Sequence, residues 1–212
     1  MLHYRDFFQR LIYAVIDPLL RLLLRIGVTP NAVTVAGLVG NAVASWLFFK
    51  GAMAPDVWSR AHSVLWGGII ILVSGLFDMM DGRLARLGGQ SSKFGALLDS
   101  SLDRYSELLT LSGITLLLLH SGIDWLWAGI MSLAAITGSM MVSYVRARAE
   151  GLGIACKVGL MQRPERVVVT AAAAIATGLT ASLSWLAAGM TIIALLANIT
   201  ALWRIVHCHK NS

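Results

Sequence analysis

Four aspartates occupy one short stretch of an otherwise apolar chain. Asp78 and Asp81 are three residues apart, and Asp99 and Asp103 are four apart. On helices, each pair projects from a single face. The Gly-Gly pair at 88–89 interrupts the path between them, so two helices can fold back and aim four carboxylates at one point.

Carboxylates in an apolar setting repel one another and must be compensated. Two Mg²⁺ or Mn²⁺ ions would cancel four negative charges and leave coordination places for phosphate oxygens. A metal pair of this kind suits in-line displacement at phosphorus. Gly82 leaves bare backbone where a ligand can come close, and Arg83 and Arg86 add positive charge for phosphate. No soft ligand lies nearby in the sequence, which argues against zinc or copper.

The full pattern is D-x2-D-G-x2-A-R-x8-G-x3-D-x3-D, running from Asp78 to Asp103. It resembles the signature of the CDP-alcohol phosphatidyltransferases, and all eight fixed residues match. The resemblance implies that an alcohol attacks the lipid-side phosphate of a CDP-linked lipid and releases CMP. It also implies that Asp78, Asp81 and Asp99 hold metal. Asp103 would contact the second metal and take the proton from the acceptor hydroxyl. The structural alternative is ion pairing of these acids with neighbouring arginines and Lys93, but four converging acids argue against it.

The same resemblance assigns seven residues to the CDP-linked lipid: Asn31, Ala32, Val33, Thr34, Gly82, Arg86 and Ser92. The first four follow Pro30 at the start of an apolar segment, in a run similar to one that lines the nucleotide pocket of family members. Helix capping by Thr29 or Asn31 is the alternative explanation of that run.

A second group of charges follows the fourth apolar segment. The sequences at 143–150 and 163–166 resemble those of prokaryotic phosphatidylinositol-phosphate synthases, as do the segments at 93–100 and 200–204. In that subgroup a basic pocket holds the phosphate of inositol 1-phosphate. This implies five acceptor-phosphate residues: Arg146, Arg148, Arg163, Arg166 and Arg204. Arg146 stands where a lysine is common, and the two cations differ in geometry. Anchoring of cytoplasmic helix ends is the alternative role for these charges.

The composition predicts an all-α integral membrane protein. Of the 212 residues, 57% are hydrophobic and 13% are charged, whereas a soluble domain is about 25% charged. We expect one domain of the CDP-alcohol phosphatidyltransferase type over 1–212, with an amphipathic interfacial helix over 1–28 and a six-helix bundle over 29–212. The six predicted transmembrane helices, each near the roughly 20 residues that a bilayer requires, are 31–50, 62–86, 91–119, 125–148, 164–181 and 184–205.

The basic residues predict the orientation. Only Lys50 and Arg60 of the 17 lysines and arginines fall on the far side of the six spans, which leaves 15 on the side of the acids and both termini. The positive-inside rule makes that side cytoplasmic, so we expect a multi-pass protein of the cell membrane. Membrane lipids and phosphate substrates account for the net charge of +6, and no nucleic-acid partner is required. Cys156 and Cys208 are expected to be free thiols.

The predicted activity is transfer of a phosphatidyl group from CDP-diacylglycerol to inositol 1-phosphate, giving phosphatidylinositol phosphate and CMP. Two alternatives remain: the same chemistry with glycerol 3-phosphate, and a divalent-cation transporter that uses the carboxylates as a gate. A catalytically idle scaffold is disfavoured by the complete motif. Small residues at 171–174 and Gly178 permit close helix packing, and the family resemblance implies a homodimer.

Overall fold

The computed structural model describes residues 16–211. All regular structure within this range is helical, in seven helices: α1 (16–25), α2 (Pro30–Ala52), α3 (Val57–Leu87), α4 (Lys93–His120), α5 (Trp125–Gly151), α6 (Arg163–Thr180) and α7 (Ser184–Lys210). Each predicted apolar segment coincides with one of the helices α2 to α7, with ends that differ by at most five residues. The first part of the predicted interfacial helix, residues 1–15, lies outside the described residues.

Short polar side chains set the beginnings of four helices. The side-chain oxygens that accept backbone N–H groups of the first turns of α2 to α5 belong to Thr29, Asp56, Ser92 and Asp124. Such caps satisfy N–H groups that have no partner within the helix. α3 ends at the glycine pair, where Gly89 has a φ of +63°. The turn between α3 and α4 is therefore short, and the two helices run in opposite directions.

Close helix contacts hold this hairpin in place. α2 packs against both α3 and α4, α3 packs against α6, and α5 packs against α7. A Cβ atom on Gly113 of α4 would lie 2.8 Å from the carbonyl oxygen of Ser45 on α2. On α6, a Cβ atom on Gly178 would lie 2.7 Å from the Cα atom of Leu65. Glycine thus lets neighbouring helix backbones come together, as is common between membrane helices.

The small residues of α6 pack inside the chain. Ala171 and Ala174 are fully buried, and a Cβ atom on Gly68 of α3 would lie 2.9 Å from the Cβ of Ala174. Ala171, Ala174 and Gly178, three of the small residues that we considered for dimerisation, therefore pack against α3 of the same chain. The homodimer stays a prediction that rests on the family resemblance.

Four of the described helices, α2, α3, α5 and α7, are long and apolar enough to cross a membrane. α4 and α6 are less apolar because they carry charged side chains, among them Asp103 and Glu107 on α4 and Arg163 on α6. The crossing of all six helices stays a prediction at this point. The free-thiol prediction is confirmed for Cys156 and Cys208, and burial raises the pKa of the Cys156 thiol.

Candidate active site

Three of the four aspartates converge between α3 and α4. One carboxylate oxygen each from Asp78, Asp99 and Asp103 lie within 4.8 Å of one another, and all three residues are half-buried. Asp78 comes from the last third of α3, and the other two come from the first half of α4. The antiparallel hairpin thus brings together residues that are about 20 positions apart in the chain.

Asp81 lies beside this cluster and is held by neutral donors. The hydroxyl of Thr34 on α2 donates to Asp81 Oδ2 at 2.7 Å, and the Gly82 N–H donates to Oδ1 at 2.5 Å. Asp81 is 4% exposed. Asp78, Asp81, Asp103 and Thr34 line one narrow cleft between α2, α3 and α4. The described structure therefore brings all four motif aspartates to one place, three as a tight cluster and one against α2.

The donor set fits a hard divalent cation. Three carboxylate oxygens at this spacing offer the oxygen ligands that Mg²⁺ and Mn²⁺ prefer. Neither cysteine nor histidine belongs to this group among residues 16–211. Clustered negative charge of this kind is costly in a low-dielectric region unless cations compensate it.

Arg163 supplies one such compensating charge. Its guanidinium is ion-paired with Asp78 through Nη1 and with Asp103 Oδ1 through Nη2, the latter at 2.7 Å. Arg163 is the first residue of α6, next to Pro164 in the first turn. We predicted an acceptor-phosphate role for Arg163 from the sequence, and the structure places it directly against the acids.

Two other predicted acceptor-phosphate residues, Arg166 and Arg204, are each 2% exposed. Arg166 makes a two-pronged ion pair with Glu107 and donates to the Met161 carbonyl at 3.1 Å. Arg204 donates to two backbone carbonyls, those of Val158 at 2.8 Å and Val142 at 2.5 Å. Both guanidinium groups thus hold the chain together internally. Their binding of an acceptor phosphate stays a prediction.

The remaining two acceptor candidates lie on the last turns of α5. Arg146 is ion-paired with Glu150 at 2.9 Å, one helical turn away, and Arg148 is exposed. The recorded ion pair of Arg146 is local and does not reach the aspartate cluster. Their contact with an acceptor phosphate stays a prediction.

The residues assigned to the CDP-linked lipid come from three helix ends. A Cβ atom on Gly95 would lie 3.0 Å from Ser92 Oγ and 3.4 Å from Asn31 Oδ1, so α2 and α4 meet here. Gly82 and Arg86 lie one turn apart at the end of α3. Of the predicted α2 residues, Ala32 is exposed, Val33 is buried under α1, and Thr34 contacts Asp81.

Arg83 pairs with Asp17 on α1. Its Nε and Nη2 donate to the two carboxylate oxygens of Asp17 at 3.0 and 2.9 Å. These hydrogen bonds hold the pKa of Asp17 below its usual value. The buried Leu20 of α1 packs with Met80 and Leu84 of α3 in a small apolar cluster. α1 therefore braces the end of α3 that carries the motif, a role that sequence reasoning missed.

A large cavity adjoins the aspartate cluster. It has a volume of about 730 Å³ and lies between α3, α4 and α6. Its lining includes Asp78, Arg163 and Glu107 together with apolar side chains such as Ile71 and Val167. Sequence reasoning did not identify Glu107, although its position one helical turn after Asp103 in an apolar helix is a usable signal.

The fold and site define an all-helical membrane protein with a carboxylate-rich metal site. The sequence model of the family described as CDP-alcohol phosphatidyltransferase matches residues 27–203. The chain belongs to this family, and it is a phosphatidyltransferase.

Similar proteins include the phosphatidylinositol phosphate synthase of Mycobacteroides abscessus, which is 34% identical over 164 residues, 76% of this chain and 69% of that protein. The archaetidylinositol phosphate synthase of Methanothermobacter thermautotrophicus is 32% identical over 200 residues, 94% of this chain and 91% of its own length.

Solved structures of the Mycobacterium tuberculosis phosphatidylinositol phosphate synthase PgsA1 are also similar, with 29% identity. The form with CDP-DAG bound has a TM-score of 0.79 and covers 90% of this chain and 92% of that one. The form in complex with manganese and citrate also has a TM-score of 0.79 and covers 91% and 88%. The predicted family is thus confirmed. A divalent metal is consistent with the aspartate cluster of this chain and with the manganese bound by that relative.

Substitution of Thr34 tests directly how Asp81 is held. In Thr34→Val the shape of the side chain is retained, but the 2.7 Å hydrogen bond to Asp81 is lost. We expect Mn²⁺ affinity to fall by about tenfold, because groups that orient metal ligands typically change affinity by this amount. Titration of the purified protein with Mn²⁺, followed by electron paramagnetic resonance, measures it. Thr34→Ser keeps the hydroxyl and should bind like the wild type; equal affinity in all three proteins would contradict this role.

Proposed function

We propose that this enzyme transfers a phosphatidyl group from CDP-diacylglycerol to a hydroxyl of inositol 1-phosphate, giving phosphatidylinositol phosphate and CMP. The observation that carries the proposal is the cluster of Asp78, Asp99 and Asp103 with Arg163 beside a large, mostly apolar cavity. Charged groups for a pyrophosphate and apolar space for lipid tails thus adjoin each other. The names of the similar synthases support inositol phosphate as the acceptor.

The four motif aspartates are the proposed metal ligands. Asp78, Asp99 and Asp103 offer clustered oxygens, and Asp81 is oriented by Thr34. Two Mg²⁺ or Mn²⁺ ions bound there would neutralise phosphate charge and act as Lewis acids toward the reacting phosphate. The chain's own part is to fix the carboxylates on two helices that both pack against α2, so that little reorganisation is needed when substrate arrives.

Asp103 is the proposed general base. Its carboxylate takes the proton from the attacking inositol hydroxyl, whose oxygen then bonds to the lipid-side phosphorus. The bond from that phosphorus to the CMP oxygen breaks, and CMP leaves with the electron pair. Asp103 is suited to this task because it lies in the cluster and its side chain is only 13% exposed, which limits competition from water.

The proposed binding position of the CDP moiety lies beside the ends of three helices. Asn31 and Ser92 meet beside Gly95, and Gly82 and Arg86 lie at the end of α3, so these groups frame a place for the CDP moiety. The bare backbone at Gly82 allows a phosphate to approach. The lipid tails lie along the apolar part of the 730 Å³ cavity.

The acceptor assay tests the proposed substrate. Purified protein with CDP-diacylglycerol and Mn²⁺ should convert radiolabelled inositol 1-phosphate to lipid with a kcat/KM at least about 100-fold above that for glycerol 3-phosphate. A site that hydrogen-bonds the inositol ring would leave polar groups unpaired with the smaller acceptor, which is the reason for the difference. Preference for glycerol 3-phosphate would contradict the acceptor, and CMP release that persists in EDTA would contradict the metal requirement.

The same assay examines the proposed base. Asp103→Asn retains the side-chain shape but removes the proton acceptor, so we expect kcat to fall by at least about 100-fold. Lys50→Gln, at the opposite end of the bundle from the aspartates, is the matched control and should turn over normally. Normal turnover by Asp103→Asn would refute the assignment.

The proposed topology has all of α2 to α7 crossing the cell membrane, with α1 at the interface and the aspartates on the cytoplasmic side. The distribution of lysine and arginine supports it. In a Cys156→Ser, Cys208→Ser background, a membrane-impermeant maleimide applied to intact cells should label Met53→Cys after α2 but not Asn211→Cys after α7. The reverse labelling pattern would contradict this orientation.

A further inference from the structure

Two successive ion pairs join α4 and α6 across the large cavity. Asp103 pairs with Arg163, and Glu107 pairs with Arg166. The acids are four residues apart on α4 and the arginines three apart on α6, so each set lies on one helix face. α4 and α6 are not among the closely packed helix pairs of the described chain. The charged side chains therefore carry much of the connection between these helices.

The ion pair between Glu107 and Arg166 is largely buried and fully hydrogen-bonded. Nε and Nη2 of Arg166 donate to the two Glu107 oxygens, and Nη1 donates to the Met161 carbonyl. All three guanidinium nitrogens thus have partners, and the side chain of Arg166 is 2% exposed. Separating a buried pair would leave an uncompensated charge, which is strongly unfavourable. This pair fixes the beginning of α6 relative to α4.

The contacts of Arg163 are of another kind. Its recorded partners, Asp78 and Asp103, both belong to the aspartate cluster. Arg163 is also more exposed, at 23% of its side chain, and lines the cavity. A guanidinium and a divalent cation would compete for these two carboxylates, because both neutralise the same oxygens and repel each other at short range.

We infer that Arg163 is an exchangeable counter-ion that links the metal site to the acceptor site. When a divalent cation takes Asp78 and Asp103, the guanidinium is released from them and turns to the phosphate of the acceptor. The pair between Glu107 and Arg166 keeps α6 in place during this exchange. The inference rests on the proposed function, because it needs both a metal at the aspartates and a phosphate-bearing acceptor.

The chemistry of the side chain supports the exchange. Arginine presents a planar fork of N–H groups that binds carboxylates and phosphates in the same two-pronged way. Releasing the two aspartates therefore frees a group already suited to phosphate and already positioned beside the cavity. Because linkage is reciprocal, metal should favour acceptor binding, and acceptor should favour metal binding by the same factor.

Thermal unfolding of the purified full chain tests the first half of the exchange. In EDTA, Arg163→Gln leaves the clustered aspartates without their guanidinium, so its Tm should lie at least about 4 °C below that of the wild type. In saturating Mn²⁺ the difference should shrink to about 1 °C, since the metal has already released Arg163 from the acids. An equal Tm deficit in EDTA and in Mn²⁺ would show a merely structural arginine and overturn the exchange.

Equilibrium binding of radiolabelled inositol 1-phosphate, without CDP-diacylglycerol, tests the second half. In Mn²⁺ we expect Arg163→Gln to bind this probe at least about tenfold more weakly than the wild type, through loss of charged hydrogen bonds. In EDTA the two proteins should bind it equally poorly, because Arg163 is then engaged with the acids. Unchanged affinity of Arg163→Gln in Mn²⁺ would overturn the inference while leaving the proposed function intact.

Two further variants keep the outcome clear. Arg163→Lys retains the charge but not the fork, so it should show both effects at reduced size; if Arg163→Gln does not fold, this variant carries the comparison. Lys50→Gln should match the wild type in every condition. Failure of Mn²⁺ to bind or stabilise the wild type would instead refute the metal assignment of the proposed function, and the exchange with it.

Discussion

Negative charge held inside an apolar helical bundle is the constraint on which this structure depends. Each buried or half-buried carboxylate must find a cation or a set of hydrogen-bond donors, because burial removes much of the water that would solvate it. Asp81 receives a hydroxyl from Thr34 and a backbone N–H from Gly82. Asp78 and Asp103 share the guanidinium of Arg163. Because the cluster still carries excess negative charge, the site is suited to bind divalent cations and, through them, phosphates.

The rest of the fold keeps these groups in register. The short turn after Gly89 folds α4 back along α3, and Gly113 lets α4 approach α2 closely. α1 clamps the end of α3 through the pair between Asp17 and Arg83. On the other side, the pair between Glu107 and Arg166 sets the position of α6. The helices α2, α3, α4 and α6 thus converge on the aspartates, while α1 holds the end of α3. None of these helices alone could position the chemistry.

Local signals in the sequence were sufficient to predict the positions of the helices and the convergence of the motif aspartates. Apolar runs of membrane length predicted α2 to α7, and Thr29 was a predicted cap for α2. The spacing of the four aspartates predicted that they would converge, because helix periodicity and a glycine turn decide this locally. Three of them cluster, and Asp81 lies against α2 in the same cleft.

Partners between distant segments were not predictable in this way. The sequence predicted an acceptor-phosphate role for Arg166 and Arg204, but it did not predict that Arg166 pairs with Glu107 or that Arg204 donates to backbone carbonyls. Spacing along one helix does not reveal which carbonyls a loop between α5 and α6 will present. The position of Arg163 against two aspartates likewise depends on how α6 packs beside α3 and α4. Such pairings are determined by tertiary packing, which the local sequence pattern does not reveal.

We conclude that the clustered carboxylates in this bundle hold divalent cations. Counting the Mn²⁺ ions bound per chain in the purified protein, by equilibrium dialysis with CDP present, examines it most directly. We expect two ions in the wild type and fewer in Asp99→Asn, which removes one charge from the cluster while Arg163 and its two partners remain. No bound Mn²⁺ in the intact protein, or the same count in Asp99→Asn, would contradict it.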